Sequence, residues 1–111
     1  MKTELTKEQS RHLIDLGVPE KMATRNDYEI EMFDYPVFTL TDLLKILPKE
    51  IKTEDNIYWQ TILWTGTSYF VGYRNHNTDR WLYQVCLKDE LIDALYELTV
   101  WCIENGHLKF D

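Results

Sequence analysis

Three aromatic-rich segments between Ile57 and Cys86, followed by an amphipathic stretch over 89–105, most constrain how this chain can fold. Short polar turns separate the segments, and the first turn, 65–67, contains a glycine that tolerates the positive φ of a hairpin. The pattern predicts strands at about 57–64, 68–74 and 80–86 in an antiparallel meander. The apolar stripe that follows predicts one long helix packed on that sheet.

Two shorter helices are predicted before the sheet. Thr6 and Gln9 have the spacing of a capping box, so a helix should follow and end near Gly17. A second helix is predicted over Leu40–Leu47, because its leucines share one face and a proline follows directly. The charged stretch 49–56 is expected to be a connection to the sheet.

The acidic window 27–34 alternates acidic with apolar residues at Glu29, Ile30, Glu31 and Met32. That period of two predicts a short edge strand with its charges outward, and a loop is the open alternative. The expected fold class is α+β, with two short N-terminal helices, a three- to four-stranded antiparallel β-meander and a long C-terminal helix packed on the sheet. A chain of 111 residues without a linker suits one domain, residues 1–111.

Simple turns would pair Leu63 with Tyr69 and Tyr73 with Trp81, and this register sorts the aromatic residues onto two faces. The first face should be the core: Ile57, Trp59, Thr61, Leu63, Tyr69, Val71, Tyr73, Trp81, Tyr83 and Val85. The second face should bring together Ile62, Trp64 and Phe70, too apolar a group for solvent. These three residues are therefore the candidate interface, either with another protein or in a homo-oligomer.

An alternative use of the aromatic residues stays open. If Trp59, Tyr73 and Trp81 were exposed together, they would form a stacking platform for sugar rings or bases, and the protein would be a small-ligand-binding module. The aliphatic residues around them favour a place in the core instead.

Charge and apolar content limit the classes of partner. The net charge is −7 without any basic stripe, so neither nucleic acid nor an anionic membrane surface is an expected partner. The N-terminus lacks the apolar segment of a signal peptide, and no window has the 18 or so apolar residues of a membrane span. Cys86 and Cys102 lie in apolar segments and are expected to be buried and reduced in a cytoplasmic protein, with a disulfide between them as the alternative.

The sequence offers little for catalysis. His12, His76 and His107 are predicted to be solvated or capping residues, because nothing pairs them with a nucleophile. The spacing of His107 from the two cysteines does not match a zinc site, so we expect neither metal nor cofactor, and an enzyme is not indicated.

Four segments carry a resemblance. Leu5–Ser10, Phe38–Pro48, Glu90–Leu98 and Trp101–Leu108 resemble small uncharacterised proteins from phages and mobile elements of gut bacteroidete bacteria. The resemblance covers the N-terminal and C-terminal thirds of the chain and implies a bacterial or phage cytoplasmic origin, without assigning any residue a role. The expected function is that of a non-catalytic accessory or protein-interaction module.

Overall fold

The computed structural model describes residues 1–28 and 34–110, and in them the chain has an α+β fold. A four-stranded antiparallel sheet lies under a long C-terminal helix, and shorter helices precede the sheet. The elements are α1 (Lys7–Asp15), a single 3₁₀ turn (Glu20–Met22), β1 (Arg25–Tyr28), β2 (Asp34–Val37), α2 (Leu40–Ile46), β3 (Glu50–Lys52), β4 (Ile57–Trp64), β5 (Tyr69–Asn75), β6 (Arg80–Lys88) and α3 (Leu91–Glu104).

The main sheet has the strand order β3-β4-β5-β6, which confirms the meander and adds a strand at one edge. β3 lies where the sequence predicted only a connection. Ile51 is buried between the exposed residues Glu50 and Lys52, so even this charged segment has the alternation of a half-buried strand. Three residues are too few for this alternation to predict a strand from the sequence.

The predicted register of the β4–β5 hairpin is wrong by one residue. Leu63 pairs with Phe70 and Trp64 with Tyr69, rather than Leu63 with Tyr69. The Thr65 N–H donates to the Ser68 carbonyl at 3.0 Å, so the loop has two residues and begins with Gly66 at φ +96°. A glycine with positive φ at the first loop position is what a type II′ hairpin turn requires, and the β4 side chains consequently exchange faces.

The inner face of the sheet packs against α3. Val71, Tyr73 and Val85 are buried in one cluster with residues of the helix, among them Leu95 and Leu98. The Trp101 ring stacks on Tyr83 with ring centroids 4.5 Å apart, which extends the core towards the C-terminus.

Both predicted N-terminal helices are present, and capping boxes begin them. Thr6 and Gln9 cap α1 reciprocally, as the sequence predicted. At α2 the cap is Thr39, with Asp42 in the reciprocal position. Asp42 is buried and also accepts hydrogen bonds from the backbone N–H and the hydroxyl of Thr24, so it joins α2 to the segment before β1.

The described ends of the acidic window, residues 27–28 and Asp34, lie in β1 and β2 rather than at an edge of the main sheet. β1 and β2 pair with each other in a separate two-stranded antiparallel sheet. Glu29, Ile30, Glu31 and Met32, which have the alternating pattern, lie outside the described residues.

Candidate interaction surfaces

The outer face of the main sheet, the side opposite α3, is defined by the register. Arg74 of β5 lies between Trp59 of β4 and Trp81 of β6, and Phe70 of β5 pairs with Leu63 of β4. The Arg74 guanidinium is 5.9 Å from the Trp81 ring centroid and also pairs with Asp79. We call these five residues, Trp59, Leu63, Phe70, Arg74 and Trp81, the outer-face group.

The described helices lie on the other side of the sheet. α3 packs on β5 and β6, α2 packs on α3, and His12 of α1 contacts Tyr96 of α3. Leu63 is 40% exposed, and the aromatic members of the outer-face group are half-buried. In the part of the chain that the structure describes, the outer-face group therefore has no helix over it.

The structure separates the three residues predicted to form an interface. Ile62 and Trp64 lie on the inner face of β4, at the end away from β3, and are 38% and 55% exposed. Phe70 lies on the outer face, opposite Leu63. The prediction that these three side chains lie together is corrected by the one-residue change of register. The Trp64 ring instead contacts Tyr69, with ring centroids 4.6 Å apart.

The aromatic ladder proposed as a ligand platform is also divided. Trp59 and Trp81 lie on the outer face, whereas Tyr73 is fully buried on the inner face. The Tyr73 hydroxyl donates to the Pro48 carbonyl at 2.7 Å. Burial, with a further contribution from the adjacent Cys102 thiol, raises the pKa of Tyr73 well above its ordinary value. Trp59 and Trp81 were wrongly placed in the core.

Among the residues that the structure describes, one edge of β4 has no strand partner over half its length. β3 pairs only with Ile57–Trp59, and the Gln60 N–H then donates to the Lys49 carbonyl at 2.9 Å. Beyond that bond, the described residues give 61–64 no strand partner on this side. Sequence reasoning missed this edge and the role of Leu63, although a signal was present: no charged residue occurs between Asp55 and Arg74.

A surface hollow of about 390 Å³ opens beside Trp59, where the β3–β4 and β5–β6 turns meet. Asn75 and Asn77 line it together with Lys52. The Asn75 side chain is already bonded, because its oxygen accepts from the Asn77 and Thr78 backbone and its nitrogen donates to the Ile57 carbonyl. His76 packs on Trp59 at a centroid distance of 5.2 Å.

A second cleft, of about 250 Å³, lies between α1, α3 and β6. His12 and Tyr96 hydrogen-bond at its rim, and Glu97 and Glu104 also line it. His107, the third histidine, packs on Trp101 with centroids 4.9 Å apart. None of the three described histidines has a serine or cysteine nucleophile among its hydrogen-bond partners.

The cysteines differ in environment. Cys102 is fully buried, and burial raises the pKa of its thiol to about 11. Cys86 is exposed, which corrects the expectation that both are buried. It follows the buried Val85, where the β5–β6 pairing becomes irregular and Leu87 adopts φ +61°. Both thiols are free, so the disulfide alternative is not realised.

Residues 1–28 and 34–110 contain no cluster of three histidine, cysteine or carboxylate side chains placed to bind a metal ion. In the same residues, no helix combines the length and the apolar character needed to cross a bilayer. Comparison of the chain with protein-family models, curated proteins and solved structures finds no match.

Proposed function

We propose that this protein is a non-catalytic interaction module that binds another protein on the outer face of its sheet. The observation that carries the proposal is the outer-face group, in which aromatic and aliphatic side chains surround a single arginine. Tryptophan and arginine are the residues most enriched among those that dominate binding energy at protein interfaces. An antiparallel sheet whose second face is solvated normally carries polar side chains there.

The composition of the face indicates what the partner offers. Leu63 and Phe70 form an apolar end, and Trp59, Arg74 and Trp81 form a flat end in which the arginine pairs with Asp79. A partner that fits presents an apolar ridge to the first end and a carboxylate or carbonyl oxygen to the Arg74 guanidinium.

The proposal includes a cytoplasmic location and an accessory role in a phage or mobile element. The location is supported by Cys86, because an exposed free thiol persists in a reducing compartment. The phage or mobile-element role is supported only by the resemblance of the terminal segments.

The test is recovery of a partner from the source cells with tagged wild type, Phe70→Glu, Trp81→Glu and Leu87→Glu. Leu87 is 74% exposed and lies outside the outer-face group, so its substitution is the matched control. We expect one protein, identified by mass spectrometry, to bind wild type and Leu87→Glu at least roughly 30-fold more tightly than the two outer-face variants. Circular dichroism and the unfolding midpoint must show that all variants are folded. Equal binding by every folded variant would refute the proposal.

A small-ligand-binding module is the second candidate, and the hollow beside Trp59 favours it. An indole next to the polar side chain of Asn77 suits a sugar ring or a nucleobase. Titration with monosaccharides and nucleosides, followed by tryptophan fluorescence, tests this candidate. We expect a saturable change in wild type that Trp59→Ala abolishes, and the candidate fails if no compound gives one.

A further inference from the structure

We propose that two copies of this chain associate through the free edge of β4, in an antiparallel β4–β4 pairing across a two-fold axis at Leu63. This surface is separate from the outer-face group members on β5 and β6, so the inference does not depend on the proposed function.

The backbone directions along β4 identify which groups are free. The Thr65 N–H donates towards β5, to Ser68, and the Gln60 N–H donates towards β3, to Lys49. Because these directions alternate along a strand, the N–H and C=O groups of Ile62 and Trp64 point to the edge that β3 leaves open. No strand of the described residues pairs with Ile62 or Trp64 on this side, so these backbone groups are available to a second strand.

This edge lacks the features by which proteins protect strand edges. β3 has Glu50 and Lys52, and β6 has two pairing irregularities and ends in Arg80 and Lys88. The free part of β4 is uncharged, and Ile62, Leu63 and Trp64 are all at least 38% exposed. Charges, bulges and prolines are the usual protection against pairing, and a neutral apolar edge invites it.

The edge is complementary to itself. Pairing Ile62 with Trp64 of a second copy satisfies the free backbone groups of both residues, and the two-fold axis repeats the pair. An aromatic residue opposite a β-branched one is a favourable cross-strand pair. Leu63 then faces Leu63 of the second copy on the outer side of the sheet.

The ends of the strands fit the same register. A second strand cannot continue opposite Gln60, because Lys49 already accepts the hydrogen bond of that residue. In this register the β4 strand of the second copy ends at its Trp64, opposite Ile62 of the first copy. The chain of the second copy then enters its own turn at 65–68, so it does not need to pair with Gln60. The pairing uses the exposed edge without displacing β3.

The contact is small for a stable dimer, so we expect association in the micromolar to millimolar range. Sedimentation velocity of the purified protein over that range should show a monomer–dimer equilibrium. Ile62→Pro removes an edge donor, and Trp64→Lys places a charge in the contact. Each should raise the dissociation constant at least tenfold, whereas Ile62→Val and Leu87→Lys, the matched controls, should change it less than threefold.

Hydrogen exchange of the wild type provides a second readout that needs no variant. On raising the concentration, the Ile62 and Trp64 amides should exchange more slowly, while the Leu63 amide, directed at β5, should not change.

A protein that stays monomeric to millimolar concentration overturns the proposal and leaves a foreign strand as the partner of this edge. A dimer that Ile62→Pro and Trp64→Lys leave intact also overturns it. Trp81→Glu, on β6 and two strands away from this edge, should dimerise normally, which separates this result from loss of the outer-face partner.

Discussion

Gly72 illustrates how one residue fixes the spacing of β5 and β6. It pairs with Thr61 of β4 and Gln84 of β6, and a Cβ built on it would lie 2.0 Å from the Tyr83 carbonyl oxygen. Because this oxygen belongs to the backbone, no side-chain rotation can relieve the clash. The two strands approach closely here because residue 72 has no side chain.

Gly72→Ala should therefore destabilise the fold by about 1–3 kcal/mol or more, because β6 must move away from β5. Urea unfolding measures this, with Thr67→Ala in the exposed hairpin loop as the control. A Gly72→Ala midpoint equal to that of the control would show that the strands do not approach as described.

The two thiols should react at different rates. Cys86 is exposed, whereas Cys102 is fully buried with its pKa raised to about 11. A thiol reagent at neutral pH should label one cysteine per chain rapidly, and peptide mapping should identify it as Cys86. Cys102 should react only as fast as the protein unfolds. Equal labelling of the two cysteines would contradict the packing of α3.

Asp42 should make stability depend on pH in the acid range. Burial alone would raise the pKa of Asp42, but hydrogen bonds from Thr24 and Thr39 outweigh it and hold the pKa below its ordinary value of 3.8. The carboxylate therefore stabilises the folded state above that value, and the contribution is lost as the pH falls through the lower folded-state pKa. Asp42→Asn should be less stable than wild type at pH 7, and the difference in the free energy of unfolding should shrink towards pH 2.

At the scale of elements, α3 contributes most to the core. Leu95 is fully buried at the centre of its apolar face. Leu95→Ala should cost about 2–5 kcal/mol, through lost burial and the cavity left behind. The same change at the exposed Leu87 is the control and should cost under about 0.5 kcal/mol. Chemical denaturation of both variants distinguishes a buried helix face from a wrongly assigned one.

Helix boundaries were predictable from the sequence because they depend on local chemistry. The capping box of Thr6 and Gln9 and the positive φ of Gly17 require only neighbouring residues. Strand pairing was not predictable to the residue, because it depends on how the turn closes. A two-residue loop starting at Gly66 and a three-residue loop starting at Thr65 are both compatible with the same letters, and they place Leu63 on opposite faces.

The candidate interface was also predictable only in part. The sequence identified Ile62, Trp64 and Phe70 as unusual in a solvated face, and two of them are exposed in the structure. It could not show that they lie on different faces, since that follows from the register. The free edge of β4 could not be predicted for another reason. β3 has only three residues, and its pairing with β4 ends at Trp59. No periodicity in so short a segment reveals where that pairing ends.

The whole molecule is a slab. Its Cα atoms extend 52 × 36 × 17 Å, and packed layers lie roughly 10 Å apart, so the thin dimension holds a sheet and one helical layer. The accessible surface of 7009 Å² exceeds the roughly 6,500 Å² expected for a compact monomer of this mass. A flat molecule of this kind keeps one sheet face open, and both proposals use that sheet.

The identity of both surfaces depends on one pairing, that of Leu63 with Phe70. It places Leu63 and Phe70 on the outer face and leaves Ile62 opposite Val71, in the type of pair whose Cα atoms approach most closely. A nuclear Overhauser spectrum of the labelled protein should therefore contain a strong cross-peak between the Hα atoms of Ile62 and Val71. A cross-peak between the Hα atoms of Ile62 and Phe70 in its place would put Phe70 on the same face as Ile62, and would contradict both the outer-face group and the free edge.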